Sequence, residues 1–241
     1  MRLRLAVMPS PYVVGLPTKS KQMKPRVLIL AHGAGGNRDT PVLKKISDSL
    51  SSKSTMVVRF NFPYRMSDKK SPDSQNLLTK AWCDAIEFSI LRCAKELESR
   101  GIAYKKIKVA IGGRSLGARI ASLVCERYPN SSFKIDRKKH PSVTAEIDKC
   151  VMLSYPLHAP GKNLMKDAHF SKILQRCIFI SGDRDTFASP KQLLRAVQKI
   201  PGNTIVEILD GGDHELKTRK ADEFTQEELE SQLTKLVTLF V

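Results

Sequence analysis

Six short apolar runs, at 26–31, 55–60, 106–111, 149–154, 176–181 and 204–209, constrain this chain more than any other feature. Their Val, Ile and Leu residues follow one another with little polar alternation, the pattern of parallel strands buried on both faces. Helix-length stretches lie between and after them, at 41–50, 74–99, 116–128, 190–199 and 223–240. This alternation predicts right-handed βαβ units, and so an α/β fold with a doubly wound, mostly parallel sheet. No internal repeat or low-complexity linker breaks the order, so residues 1–241 are expected to form one domain. At 241 residues the chain buries roughly 70% or more of its unfolded surface and needs no disulfide or metal staple. Ahead of the first run, Leu3, Leu5 and Val7 alternate with Arg2, Arg4 and Ala6, which reads as a half-buried strand. Two irregular stretches remain. One is 61–73, and the other is 129–146, polar and basic, expected as a surface excursion.

The formal net charge is +17, from 41 Lys and Arg against 24 Asp and Glu. Residues 221–241 hold five acids and one Lys, so the preceding 220 carry +21. Basic clusters stand at Lys19/Lys21/Lys24/Arg26, Lys105/Lys106/Lys108 and Arg137/Lys138/Lys139. A solvated basic surface is the plainer reading, with weak binding of polyanions expected beside it. No helix-turn-helix, zinc-finger spacing or aromatic-basic RNP-like run accompanies the charge. No window reaches ~18 uninterrupted apolar residues, so no membrane span is expected. The five cysteines, at 83, 93, 125, 150 and 177, are odd in number and form no CxxC pair. They suit a reducing compartment, hence a cytoplasmic location, with nuclear or organellar ones left open.

Sheets of this kind place their sites at the carboxyl ends of the strands. The third such end is the most specific chemically: Gly113-Arg114-Ser115-Leu116-Gly117 is a G-x-S-x-G between a strand and a helix, the setting of a nucleophile elbow. A serine there needs a base, and the base an orienting carboxylate. In this architecture they follow in the order Ser, Asp, His. His214 occupies the base's slot. His32 precedes the serine, His140 lies in the basic excursion, and His158 and His169 come before the candidate acids. Asp183 and Asp185 compete for the carboxylate. Asp185 is preferred because it stands three residues after Gly182, and Asp183 is then expected to cap the turn. The oxyanion hole is assigned to the N–H groups of Leu116, just after the nucleophile, and of Ala34, with Gly33 as alternative, in the turn His32-Gly33-Ala34-Gly35-Gly36. His32, Tyr64, Arg114 and His158 are candidate walls of the substrate pocket. Arg114 could attract an acidic substrate or brace the elbow, and His158 also reads as a structural hydrogen-bond partner.

Phosphate motifs fail. The third glycine of a G-x-G-x-x-G falls on Arg38, and Ala118-Arg119 replaces the Lys-Ser/Thr of a Walker loop. The histidines lack metal-ligand spacing, so neither metal nor cofactor is expected.

Beyond the elbow, Arg59-Phe60-Asn61-Phe62-Pro63-Tyr64, Ser154-Tyr155-Pro156-Leu157-His158 and Gly212-Asp213-His214 join the His32–Gly36 turn in a recognisable set. From about Lys24 onward the chain resembles the α/β-hydrolase-like family of testis-expressed protein thirty. Its bacterial members are dienelactone-hydrolase-like, and a domain of NSL complex subunit three is related. The resemblance implies an α/β-hydrolase fold and a Ser115/Asp185/His214 triad, and leaves the substrate undefined. Dienelactone hydrolases use cysteine as nucleophile, so Ser115 departs from them. Residues 155–175 leave room for a loop and one short helix, so no large cap domain is expected. Two functions follow. One is a serine hydrolase of small ester, thioester or related acyl substrates. The other is a hydrolase-fold module docking a protein, nucleic acid or membrane through its basic surface.

Overall fold

A computed structural model of the chain describes residues 10–18, 22–128, 143–159, 162 and 164–241. The expected strand at Leu3, Leu5 and Val7, residues 129–142 of the basic excursion, His140, Lys19, Lys21 and Arg137/Lys138/Lys139 lie outside them.

Seven strands form one sheet: β1 (Tyr12–Gly15), β2 (Arg26–Ala31), β3 (Met56–Phe60), β4 (Ile107–Arg114), β5 (Ala145–Leu153), β6 (Arg176–Gly182) and β7 (Thr204–Leu209). Their order is β1-β3-β2-β4-β5-β6-β7. All pairs are parallel except β1 with β3. The helices are α1 (Pro41–Ser51), α2 (Pro63–Met66), α3 (Gln75–Ser99), α4 (Leu116–Arg127), α5 (Pro190–Val197) and α6 (Gln226–Phe240).

Successive side chains of a strand point to opposite faces, and β2 shows why its sequence does not alternate. Leu28 and Leu30 pack with Leu43 and Ile46 of α1 and Leu229 and Leu233 of α6. Val27 and Ile29 pack on the other face, in the core that holds Trp82 and Ile86 of α3, Val124 of α4 and Leu193 of α5. Each such side chain contributes about 1.5–3 kcal/mol by leaving water. Both faces are covered, so every residue of the strand is apolar after Arg26.

The elements differ from expectation mostly at their ends. Helix α6 starts at Gln226 rather than 223 because Thr225 accepts from the Glu228 N–H and Glu228 answers, a capping box. Strand β1 was not expected: a strand of four residues, set between Pro11 and Pro17, gives little signal. It occupies an edge, where flanking prolines are tolerated. Within 61–73, Pro63 opens the one-turn helix α2. Strand β5 begins at Ala145, taking in residues read as part of the excursion. Its charged half is neutralised across the sheet: Glu146 meets Lys106 and Lys108, each at 2.9 Å, and Asp148 takes both terminal nitrogens of Arg26. Between β5 and β6 the described residues hold a single 3-10 turn, Phe170–Lys172, and no cap domain.

The order of strands reverses at β2, which has β3 on one side and β4 on the other. The crevice outside the carboxyl ends of β2 and β4 is therefore where a ligand fits this topology.

Candidate active site

Ser115 stands between β4 and α4 with φ 50° and ψ −112°, a conformation that costs a non-glycine residue roughly 1–3 kcal/mol. Its surroundings hold it there. The Ser115 N–H donates to the Leu153 carbonyl of β5 at 2.9 Å, and its own carbonyl accepts the Arg119 N–H of α4 at 2.9 Å. The backbone of β2 passes directly beside the turn. A Cβ at Gly113 or Gly117 would lie 2.1 or 2.3 Å from the Ala31 carbonyl oxygen. The two glycines of the motif are thus what lets the elbow press against the sheet.

The Ser115 hydroxyl lies 2.9 Å from His214 Nε2, and His214 Nδ1 lies 2.9 Å from both carboxylate oxygens of Asp185. Two other donors hold that carboxylate: the Phe187 N–H at 2.8 Å and the Ser181 hydroxyl at 3.1 Å. Asp185 is 3% exposed. The Phe187 ring stacks on the His214 imidazole, centroids 4.0 Å apart. The acid's turn and the base's turn are tied by their backbones, Arg184 N–H to the Gly212 carbonyl at 3.0 Å and Asp183 N–H to the Leu209 carbonyl at 3.1 Å. Ser181 and Phe187 escaped the sequence reading, because their roles depend on where the turn carrying His214 lands. Asp183 is exposed. The side-chain contact to the turn's backbone belongs to Asp185, not to Asp183 as expected.

His32 and Tyr64 lie beneath the Gly-rich turn, not on its open side. His32 is fully buried. Its Nδ1–H donates to the Gly33 carbonyl at 2.7 Å, and its Nε2 accepts the Phe62 N–H at 3.2 Å. Burial, with Arg65 and Arg114 nearby, pushes its pKa down to about 4, which matches a ring that must accept at Nε2. The Gly33 carbonyl also accepts the Gly36 N–H at 3.0 Å. A trans peptide carries its C=O and N–H in opposite directions, so pinning the Gly33 oxygen inward aims the Ala34 N–H outward. The Tyr64 hydroxyl fixes the next peptide by donating to the Ala34 carbonyl at 2.7 Å. Further along, Asn61 accepts the Arg38 N–H at 2.7 Å, and Arg59 reaches Asp39 at 3.0 Å. Among the described residues, neither the Ala34 nor the Leu116 N–H is bonded to a backbone carbonyl.

His158 is half-buried, and its Nδ1–H faces the Ala159 carbonyl at 3.2 Å. Its backbone N–H and that of Leu157 both meet the Phe187 carbonyl, at 3.3 and 3.1 Å. That segment therefore braces the residue stacked on His214. Arg114 is 8% exposed and lines a cavity of about 540 Å³ with Gly35, Glu215 and Lys217. The cavity flanks the serine: its walls include the residues just before Ser115 and just after His214, though not those two. A second Ser–His contact, Ser122 Oγ to His169 Nε2 at 2.7 Å, is a core network. Ser122 is fully buried and also bonds the Arg119 carbonyl and the Tyr155 hydroxyl. Among the described residues no carboxylate bonds His169, and burial pushes its pKa down to about 4.

Among the described residues no group of three or more His, Cys, Asp or Glu could hold a metal ion, and no helix is long and apolar enough to cross a membrane. A doubly wound sheet with a serine elbow at its switch point is the arrangement of an α/β hydrolase. Residues 24–241 match the model of the alpha/beta hydrolase domain, and the chain belongs to that family. Among solved structures it is similar to an alpha-beta serine hydrolase homologue from Coxiella burnetii, 16% identical, covering 95% of this chain and 90% of that one with a TM-score of 0.64. A lidless a/b serine hydrolase from Xanthomonas campestris is 16% identical, with 95% and 88% covered and a TM-score of 0.56. A dienelactone hydrolase from Anabaena variabilis is 12% identical, with 93% and 88% covered and a TM-score of 0.59. At such identities the likeness speaks for the fold.

Proposed function

We propose that the chain is a serine hydrolase of small esters, thioesters or related acyl compounds, working as one α/β-hydrolase domain with Ser115, His214 and Asp185 as its triad. The observation that carries this reading is the relay at the strand ends: 2.9 Å from the Ser115 hydroxyl to His214, and 2.9 Å from His214 to a buried Asp185. Ser115 Oγ attacks the acyl carbon while His214 Nε2 takes its proton. Asp185 holds the imidazole in the Nδ1–H tautomer and stabilises the imidazolium that forms. The Ala34 and Leu116 N–H groups receive the charge that develops on the carbonyl oxygen, a term of about 3 kcal/mol per donor in comparable sites. His214 then protonates the leaving group, and water repeats the sequence on the acyl-enzyme.

The motif resemblance to the family of testis-expressed protein thirty and NSL complex subunit three belongs to this reading, as does a reducing, cytoplasmic location for its five free cysteines. A fluorophosphonate probe tests the core of it. Labelling of the wild type that Ser115→Ala abolishes is expected. An unlabelled, folded wild type, or labelling that persists in Ser115→Ala, would overturn the assignment.

A further inference from the structure

The cavity beside the triad has one charge that the protein leaves unanswered. Arg114 is 8% exposed and one wall of it. Its guanidinium packs against Gly33, where a Cβ would stand 2.9 Å from Nη2. Among the described residues its one hydrogen bond is a long contact of 3.4 Å from Nη1 to the His214 carbonyl, and its Nε has no partner. The guanidinium is thus largely buried, with its Nε unpartnered and no carboxylate bonded to it among the described residues. Leaving a buried charge in that state is costly, and an Arg of this kind answers a carboxylate in bidentate geometry.

The neighbouring acids do not supply that carboxylate. Asp213, Glu215 and Asp185 are near enough to favour the charged guanidinium against its burial, yet each is engaged elsewhere. Asp213 accepts the N–H groups of Glu215 and Lys217. Glu215 pairs with Lys217. Asp185 serves His214, Phe187 and Ser181. The cavity's other acid, Glu230, is held by Lys45 and Gln226.

We propose that Arg114 is a specificity residue that seats a carboxylate of the substrate, so that the site takes acyl compounds bearing a free acid group. The proposal rests on the serine-hydrolase reading, and its test separates the two. One arm puts the acid on the acyl side, with p-nitrophenyl hydrogen adipate compared with its carboxamide, p-nitrophenyl adipamate. The other puts it on the alcohol side, with 4-acetoxybutyrate against 4-acetoxybutyramide, read by acetate release. Charge-assisted hydrogen bonds of this kind predict a kcat/KM for the acid about ten- to a hundredfold above that for the amide in one arm. In Arg114→Gln that ratio should fall to near one, and Arg114→Lys should keep part of it. A wild-type ratio near one in both arms would overturn the proposal. So would an Arg114→Gln that slows acid and amide alike and keeps the ratio, since that is the mark of a brace.

Binding supplies a readout that needs neither turnover nor a variant. The stable monoanilide of adipic acid should bind the wild type at least tenfold more tightly than its carboxamide, as should 4-acetamidobutyrate than its amide if the acid lies on the alcohol side. Equal binding within both pairs would overturn the assignment of Arg114 even in a protein whose Ser115 reacts with fluorophosphonate. Selective binding in a protein whose Ser115 does not react would keep the carboxylate site and remove the hydrolase.

Discussion

Asp183 and Asp185 sit two positions apart in one turn, and their surroundings give them opposite work. Asp185 is buried against His214, while Asp183 faces solvent. Asp185→Asn should lower kcat by about three to four orders of magnitude with the fold intact, because the amide favours the wrong imidazole tautomer. Asp183→Asn, an exposed substitution away from any such feature, should change stability by less than about 0.5 kcal/mol and leave kcat near wild type. Steady-state kinetics and urea melts of the pair check both, and the reverse pattern would move the acid to Asp183. Ser115→Ala and His214→Ala should each remove most activity, and their combination little more, because triad members act as a unit. Additive losses in that double variant would show two groups acting independently.

At the scale of elements, the contact that matters most is the elbow pressed against β2. The α4 helix starts where it does because Gly113 and Gly117 let the Ala31 carbonyl approach. Gly117→Ala puts a methyl group 2.3 Å from that oxygen and 2.9 Å from the His32 carbonyl. Overpacking of this kind costs about 1–3 kcal/mol, which in a protein of this size lowers Tm by about 2–12 °C. The shift is transmitted to both ends of the proposed oxyanion hole, since β2 leads into the Ala34 turn and α4 begins with Leu116. Thermal melts and kcat/KM of Gly117→Ala should therefore fall together. A variant with unchanged Tm and activity would show that the elbow has slack.

At the scale of the molecule, two properties follow. The first is acid sensitivity. His32 has its pKa pushed down to about 4 by burial, whereas an unfolded histidine titrates near 6.5. Between those values the unfolded chain binds the proton and the folded one does not, so stability rises with pH. The contribution is complete above about pH 6.5 and is lost as pH falls to about 4, amounting to about 3 kcal/mol. Urea unfolding at pH 7, 6, 5 and 4 should show that loss, with His169 adding to it. His32→Asn should start less stable but flatten the slope, and an unchanged slope would remove His32 from the account. The second property is substrate size. With no cap domain among the described residues over the proposed triad, a long acyl chain stays in water, and each unburied methylene forfeits about 0.8 kcal/mol. Across p-nitrophenyl esters from acetate to palmitate, kcat/KM should be highest for short chains. A steady climb with length would reveal an apolar tunnel. Part of the basic surface is paired with acids that the net charge of +17 already counts. Lys106 and Lys108 share Glu146, and Arg26 pairs with Asp148.

The fold and the candidate triad were legible in the sequence because both are written in local signals. A doubly buried strand is apolar along its buried length, and an elbow has to place small residues around its serine. Those requirements bind neighbours along the chain, so they can be read from one stretch at a time. Strand β1, the charged start of β5, the places of Ser181 and Phe187 around the acid and base, and the burial of His32 and Tyr64 beneath the turn were decided by tertiary structure. Each depends on a partner away in sequence: Phe187 stacks on His214, Tyr64 bonds Ala34, 30 positions before it, and Arg26 and Asp148 are 122 positions apart. A charged residue such as Glu146 looks like loop until the sheet brings it two lysines. Arg114 likewise looks like any basic residue until burial strips its water and leaves its Nε unpartnered. Desolvation and long-range pairing have no local signature, because they arise only when the strands have already assembled.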